Sequence, residues 1–308
     1  MLNNEKIINF IVPEEIEGER IDKALTGLFD EYSRSFLQKL LDEHKITVND
    51  KEIKASYKVC TEDKIQVIIP EAKIPNIEPK NIPLDVIYED SDVIVINKPK
   101  NMVVHPAPGH YDDTLVNALL YHCKGQLSGI NGILRPGIVH RIDKDTTGSV
   151  IACKNDFAHQ KISEQLKTHS VNRVYNAICF GNLKEDEFTI NENIGRSVND
   201  RKKMAVVKSG GKSAITHVKV LERFKDYTFI ECKLETGRTH QIRVHLSHIG
   251  HPLLGDSVYG PSKNNSKYEG QVLHAKVLGF VHPRTGEYIE TVAPLPEYFT
   301  RLISQLKR

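Results

Sequence analysis

The sequence predicts an α+β protein in two parts: a small amino-terminal α/β unit, then a larger unit with a mixed, mainly antiparallel sheet. Three observations carry that reading. The 308 residues exceed what one core usually organises, at roughly 150 residues per domain. The stretch EAKIPNIEPKNIP, residues 71–83, sets three prolines among mixed charges, a spacing that no helix or central strand tolerates. The patterning also differs on its two sides. Short helical spacings precede it, and long β-branched strands separated by a few helices follow.

Taken in order, residues 1–17 read as an extension or strand, 18–70 as the small unit, 71–84 as a linker and 85–308 as the larger unit. Ile21, Ala24, Leu25 and Leu28 recur at helical spacing, as do Phe36, Leu37, Leu40 and Leu41. Ser33 or Ser35 offers the start of the second helix, with Ser35 and Gln38 in capping-box register. KITVND-KEIK then reads as a strand, a polar turn and a short strand, and KIQVIIP as a third strand. After the linker, DVIYED and DVIVINKP form a pair of strands, while DTLVNALLYH and FAHQKISEQLKTH are helices. IVHRI, SVIACK, RVYNAICFG, AITHVKVLERF and YTFIECKLET supply further strands, and THQIRVHLSHI a helix after the last of them.

Composition narrows the function. The longest apolar runs, such as Val93 to Ile96, are strand-sized and far from the roughly 20 residues of a membrane helix. Met1 to Glu15 carries acids and no long apolar region, unlike a secretory signal. The expectation is a cytoplasmic protein without membrane association. Five cysteines, widely spaced and without a Cys-x-x-Cys pair, indicate neither a disulfide framework nor a zinc ribbon. With a formal net charge of +2, any nucleic-acid contact has to come from local patches. There is no Gly-x-Gly-x-x-Gly after a strand. His240, His245, His248 and His251 cluster without an acid or cysteine in obvious reach, so no metal is expected.

The most informative segment is GIVHRIDKDTTGSVIACK, from Gly137. A strand brings up His140, Arg141 and Asp143, Lys144 to Gly148 turn the chain, and a second strand follows. Asp143 sits where the strand meets the loop, between two cations. It is either a turn residue bonding the backbone or a carboxylate placed for chemistry. Residues 201–212, RKKMAVVKSGGK, hold five cations and no acid. Such a run suits phosphates, which release counterions for each charge neutralised.

His140-Arg-Ile-Asp-Lys-Asp-Thr-Thr-Gly148 closely resembles the signature motif of the RluA/RluD-type pseudouridine synthases. Asn97-Lys98-Pro99 with Val103-Val104-His105-Pro106 resembles the opening segment of that family's catalytic domain. Arg173-Val174-Tyr175 is similar to its second motif. Leu234 to His245, continued by Gly250-His251-Pro252 and Gly255-Asp256, is similar to its third. The amino-terminal unit, from Gly18-Glu19-Arg20-Ile21-Asp22, resembles the small RNA-binding domain of ribosomal protein S-four, a pairing similar to the RluD branch.

The resemblance implies the pseudouridine synthase fold and isomerisation of uridines to pseudouridine, in large-subunit (23S-type) ribosomal RNA. It implies Asp143 as the carboxylate beside the anomeric carbon, either attacking the sugar or removing a ribose proton. Arg243 would pair with it, and Tyr175 would stack on the target base. The target nucleotide has to leave the RNA stack. Arg141 would fill the vacated place, or else pair with Asp143 or Asp145. His140, Arg238, His240 and the run Arg201, Lys202, Lys203 are the further RNA-contact candidates. No cofactor and no protein partner are implied, and a monomer is expected. Residues 18–70 hold 9 Lys+Arg against 10 Asp+Glu, so RNA binding there would need one face, such as Arg34, Lys39, Lys45, Lys54 and Lys58.

Overall fold

Contacts divide the chain into two units, Met1–Pro75 and Asn76–Arg308. The computed structural model describes residues 6–29, 32, 34–69, 77–107, 109–132, 134–198, 200, 203–261 and 268–307, with Ser35 described by its backbone alone.

In the first unit, β1 (Lys6–Ile11) precedes helices α1 (Ile21–Leu28) and α2 (Arg34–Asp42), then β2 (Ile46–Val48), β3 (Lys51–Glu52) and β4 (Lys64–Ile69). The strands form an antiparallel sheet in the order β1-β4-β2-β3. Ile21, Ala24 and Leu25 of α1 and Leu37, Leu40 and Leu41 of α2 bury their apolar stripes with Ile46, Val48, Ile65 and Val67. Helix α2 begins one residue before Ser35, and Ser33 lies outside the described residues. Asp22 is a fully buried carboxylate in this unit. Burial pushes its pKa up, but hydrogen bonds from Arg20 (3.0 Å) and Arg34 (2.7 Å) outweigh that and hold it at about 2.

The second unit opens with β5 (Val86–Glu89), β6 (Val93–Lys98), α3 (Leu115–His122), β7 (Thr147–Cys153), α4 (Asp156–Lys167) and β8 (Asn172–Phe180). There follow β9 (Glu187–Asn191), β10 (Ile194–Arg196), β11 (Met204–Val206), β12 (Ile215–Arg223), β13 (Tyr227–Leu234) and α5 (Gln241–His248). The last elements are β14 (Leu273–Val281), β15 (Tyr288–Val292) and α6 (Glu297–Leu306). Among the described residues one sheet runs β5-β6-β7-β14-β8-β13-β12-β9, with β15 also on β14 and a separate β10-β11 ribbon. Among the described residues only the β7–β14 pairing is parallel, so the sheet is mixed and mainly antiparallel.

Strand alternation sends side chains to two cores. Val150 and Ala152 of β7 join Ala177 and Cys179 of β8 beneath α3 and α5, whose Leu115, Leu119, Ile242 and Leu246 complete that core. On the opposite face Ile151 and Cys153 pack with Ala158 and Ile162 of α4, and Ile178 packs with Phe299 and Leu302 of α6. Helix α3 begins at a reciprocal cap between Thr114 and Asn117, and α4 at Asn155, whose side chain accepts from the Ala158 amide. No helix among the described residues is long and apolar enough to cross a membrane.

The strand expected over IVHRI does not form. Residues 139–146 are irregular, and the ladder stops at a single bridge between Ile138 and Ala152. The His140 side chain explains the break. Its Nε2 accepts the Ile151 amide at 3.0 Å, where a backbone carbonyl would continue the ladder. Within the cationic run, Met204–Val206 form β11, paired with β10.

Candidate active site

The irregular segment after Gly137 is tied down at several points. The Cys153 amide donates to the Gly137 carbonyl at 2.8 Å, and a Cβ at residue 137 would come within 2.7 Å of the Cys153 carbonyl oxygen. With φ at +71°, this is a position for glycine. Further on, the Thr146 amide donates to the Asp143 carbonyl at 3.1 Å, closing a turn over residues 143–146. Lys98, at the end of β6 and fully buried, donates to the carbonyls of Pro99 (2.8 Å), Met102 (2.8 Å) and Lys144 (2.9 Å). Burial pushes its ammonium down to about 7, against the attraction of Asp145 and Asp143.

Helix α5 supplies the opposing wall. His240 precedes it in the left-handed region, at φ +57°. Gln241 then fixes the helix start. Its carbonyl oxygen accepts from Thr236 Oγ1 (2.8 Å) and the Arg238 amide (2.9 Å), and its amide nitrogen donates to Ile215 O and Thr216 Oγ1, both at 3.0 Å. Every polar atom of that buried amide is therefore engaged.

Arg243, on the first turn of α5, joins the two sides. Its Nη1 donates to Asp143 Oδ2 at 2.8 Å, while Nε and Nη2 grip Asp256 at 2.7 and 2.9 Å. Asp256 Oδ1 also accepts the amides of Val258 (2.9 Å) and Tyr259 (3.0 Å). Burial alone would push the Asp256 carboxyl up, but these bonds bring it below its ordinary value. Burial likewise works against the Arg243 cation, and the two carboxylates reverse it, so the guanidinium stays charged.

His240 Nε2 lies 3.7 Å from Asp143 Oδ1, and Nδ1 lies 2.9 Å from the Tyr259 hydroxyl. That hydroxyl accepts the Met204 amide at 3.0 Å, so its own hydrogen is available to Nδ1. Burial lowers the His240 pKa, with Asp143 opposing. A neutral imidazole in this arrangement carries its proton on Nε2, facing the carboxylate.

Asp143, His240, Gln241 and Arg243 line a cleft of about 450 Å³. Asp143, Tyr175 and Arg243 all face it, as do His140, Arg141, Arg238 and His240. Tyr175 is 8% exposed, and burial raises its phenol pKa, which keeps the ring neutral. Arg141 is exposed at the rim. Arg238 Nε donates to Ser213 O at 2.9 Å. His140 is committed to the Ile151 amide, and burial lowers its pKa to about 3, so it is a neutral acceptor. Lys203 does not line the cleft; its ammonium donates to Val258 O at 3.1 Å. Arg201 and Lys202 lie outside the described residues.

Sequence reasoning placed neither Ile242, which also lines the cleft, nor Lys167 and His169 at the end of α4 in the site. Nor did it give Asp256 and Lys98 roles, although both stand in the motif blocks it quoted. Acids and lysines inside apolar runs were the available signal. Among the described residues, Asp90, Asp92 and His282 could gather ligand atoms for a metal. They lie outside this cleft, and Tyr88, Arg284 and Asn155 occupy the two carboxylates.

The cleft holds one carboxylate braced by a charged arginine, a buried tyrosine ring beside it, and cations at the rim. Comparisons with known proteins identify the family of the chain. A model of the family described as RNA pseudouridylate synthase matches residues 92–248. The chain is 50% identical over 301 residues to an uncharacterized RNA pseudouridine synthase of Bacillus subtilis, YlyB, covering 98% of each chain. It is 44% identical over 303 residues to the ribosomal large subunit pseudouridine synthase D of Zymomonas mobilis, covering 95% of each. Among solved structures, human RNA pseudouridylate synthase domain containing 1 is similar with a TM-score of 0.58 and 26% identity, over 74% of this chain and 96% of that one.

Proposed function

The chain belongs to the RNA pseudouridylate synthase family, and from that premise we propose that it isomerises uridines of large-subunit ribosomal RNA, with Asp143 as the reacting carboxylate. The ribosomal substrate is drawn from relatives named ribosomal large subunit pseudouridine synthase D, several of them 41–44% identical. The observation that carries the assignment to Asp143 is its 2.8 Å bond to Arg243 within the cleft that Tyr175 also lines.

The chemistry detaches uracil from C1′, turns it and rejoins it through C5. It needs an ionised carboxylate at the sugar and a flat, dry wall for the base. Arg243 keeps Asp143 aimed, because its other two nitrogens are locked on Asp256. Tyr175 offers its ring to the flipped base, and Arg141 at the rim takes the place the base vacates in the RNA. The first unit docks on the same RNA.

The test is to map pseudouridines in large-subunit RNA from cells with and without this gene, and to incubate purified protein with the unmodified RNA. Pseudouridine formed with no change in RNA mass supports the proposal. Release of free uracil would instead make the protein a hydrolase, and unchanged maps would remove the ribosomal substrate.

A further inference from the structure

Two arginines are buried in the cleft, and only one is neutralised. Arg243 holds two carboxylates. Arg173 is 7% exposed and pairs with no carboxylate among the described residues. Its Nη2 donates to the Glu235 carbonyl at 2.9 Å, and its Nε is buried without a partner. The neighbours acting on its charge are the Tyr175 phenol and a second cation, Arg238. Burying an unpaired charge is costly, and such groups are retained where an anion arrives to meet them.

Position narrows which anion. Arg173 and Tyr175 stand two residues apart on β8, so their side chains leave the same face of the sheet, and both line the cleft with Asp143. Phosphates are within easier reach of Arg141, exposed at the rim. Arg173 lies at the depth of Tyr175, where the base is received.

The proposed reaction makes an anion there. When the N1–C1′ bond breaks, its electron pair stays with uracil, which becomes a monoanion with charge on N1, O2 and O4. C1′ is taken up by the Asp143 carboxylate or relieved by loss of the C2′ proton, which later returns. C5 then bonds to C1′, breaking the C1′–O bond to Asp143 where one had formed and releasing the carboxylate; the C5 proton leaves and N1 regains a proton. One C–N bond is exchanged for one C–C bond, and no oxidant or reductant is consumed. A fixed cation beside the ring stabilises this charged interval more than it stabilises bound uridine, and such differential stabilisation is what accelerates a step.

We infer that Arg173 is a catalytic residue whose guanidinium contacts the uracil ring and stabilises the anion formed between glycosidic cleavage and rejoining. This rests on the function proposed above. Gly237 gives an independent handle on it. A Cβ there would lie 2.5 Å from Arg173 Nη1, so an alanine would displace the guanidinium while leaving its charge in place.

The test compares wild type, Arg173→Met, Arg173→Lys and Gly237→Ala on one RNA hairpin carrying uridine or 5-fluorouridine at the target. Fluorine at C5 stabilises the uracil anion and so lowers the demand on a protein cation. Because fluorine also blocks loss of a C5 proton, single-turnover consumption of the N-glycoside is read. Arg173→Met is expected to lose about 100- to 1000-fold on uridine and markedly less on 5-fluorouridine, with RNA affinity unchanged. Gly237→Ala and Arg173→Lys should show the same substrate-dependent pattern more weakly, and they decide the matter if Arg173→Met does not fold. Equal losses on the two substrates, or a loss confined to RNA affinity, would overturn the role of Arg173. A wild type that leaves uridine unconverted would overturn the proposed function instead.

Discussion

The Lys98 ammonium donates to the carbonyl of Lys144 at 2.9 Å, so a fully buried cation from β6 fixes the peptide between Lys144 and Asp145, one step beyond Asp143. The same ammonium holds the carbonyls of Pro99 and Met102, which uses all three of its hydrogens. Asp143 is thus held from two sides, by Arg243 on its carboxylate and by Lys98 on the backbone one residue beyond it.

Replacing Lys98 by Met should leave three carbonyls, that of Met102 buried, without their donor and cost about 1–3 kcal/mol at neutral pH. The pH dependence gives a sharper check. In the folded protein Lys98 titrates near 7, against an ordinary lysine value of 10.5. Between those values the unfolded chain binds a proton that the folded protein has released. Wild-type stability should therefore rise relative to Lys98→Met as pH increases from 7 towards 10.5, by at most about 1.4 kcal/mol per unit. Urea unfolding of the larger unit across that range is the measurement, and a pH-independent difference would mean Lys98 is not a depressed, charged group at neutral pH.

Asp143→Asn should abolish isomerisation, a loss on the order of 100- to 10,000-fold or more, with fold and RNA affinity preserved. Arg243 would still be held by Asp256, so the cleft need not collapse. Asp145→Asn should be milder, since that side chain lies against Gly270 rather than in the cleft. Carbodiimide-based mapping after single-turnover incubation reads both, and substantial residual activity in Asp143→Asn would remove it from the chemistry.

Asp256→Ala should be worse for the fold than Asp143→Asn. It strips two of the three bonds from a buried guanidinium and leaves the Val258 and Tyr259 amides without their acceptor. Removing one partner of a buried pair typically costs about 3–5 kcal/mol. Thermal melts should separate it from Asp256→Asn, which keeps oxygen and nitrogen in place and should lose less. Equal melting temperatures would show that Asp256 does not brace Arg243.

The fold class was legible because periodicity survives in the sequence. Val-Ile-Val-Ile in β6 and the apolar spacing of α3 and α5 report burial residue by residue. The motif order likewise led to Asp143, Tyr175 and Arg243, which the structure brings into one cleft. What stayed hidden depends on groups distant in sequence. IVHRI has the composition of a strand, yet the imidazole of His140 takes the amide that would have continued the ladder. Lys98 ends an apolar run like any exposed cation, and one of the three carbonyls that accept from it once it is buried lies 46 residues away. Asp256 is one acid among 40 Asp+Glu until α5 swings Arg243 onto it.

The last prediction separates the two units. Their cores share no residue: one uses Val12 to Ile69 and the others begin at Ile77. A chain lacking residues up to Pro75 keeps Ile77 and should therefore fold and keep its maximal rate on a short RNA, since Asp143, Tyr175 and Arg243 all remain. Its affinity for a large ribosomal fragment should fall, because two linked sites gain from effective concentration. The first unit has no net positive charge, but it does not spread its cations evenly. Buried Asp22 fastens the guanidiniums of Arg20 and Arg34, whose side chains are 51% and 56% exposed, into one patch. Without that patch the salt dependence of binding should become shallower, by roughly 0.7–0.9 of a unit of slope for each phosphate no longer neutralised. Binding of both chains to the same fragment, titrated against salt, is the measurement. Superimposable curves would mean that the patch does not meet this RNA, and that the first unit serves some other purpose than docking.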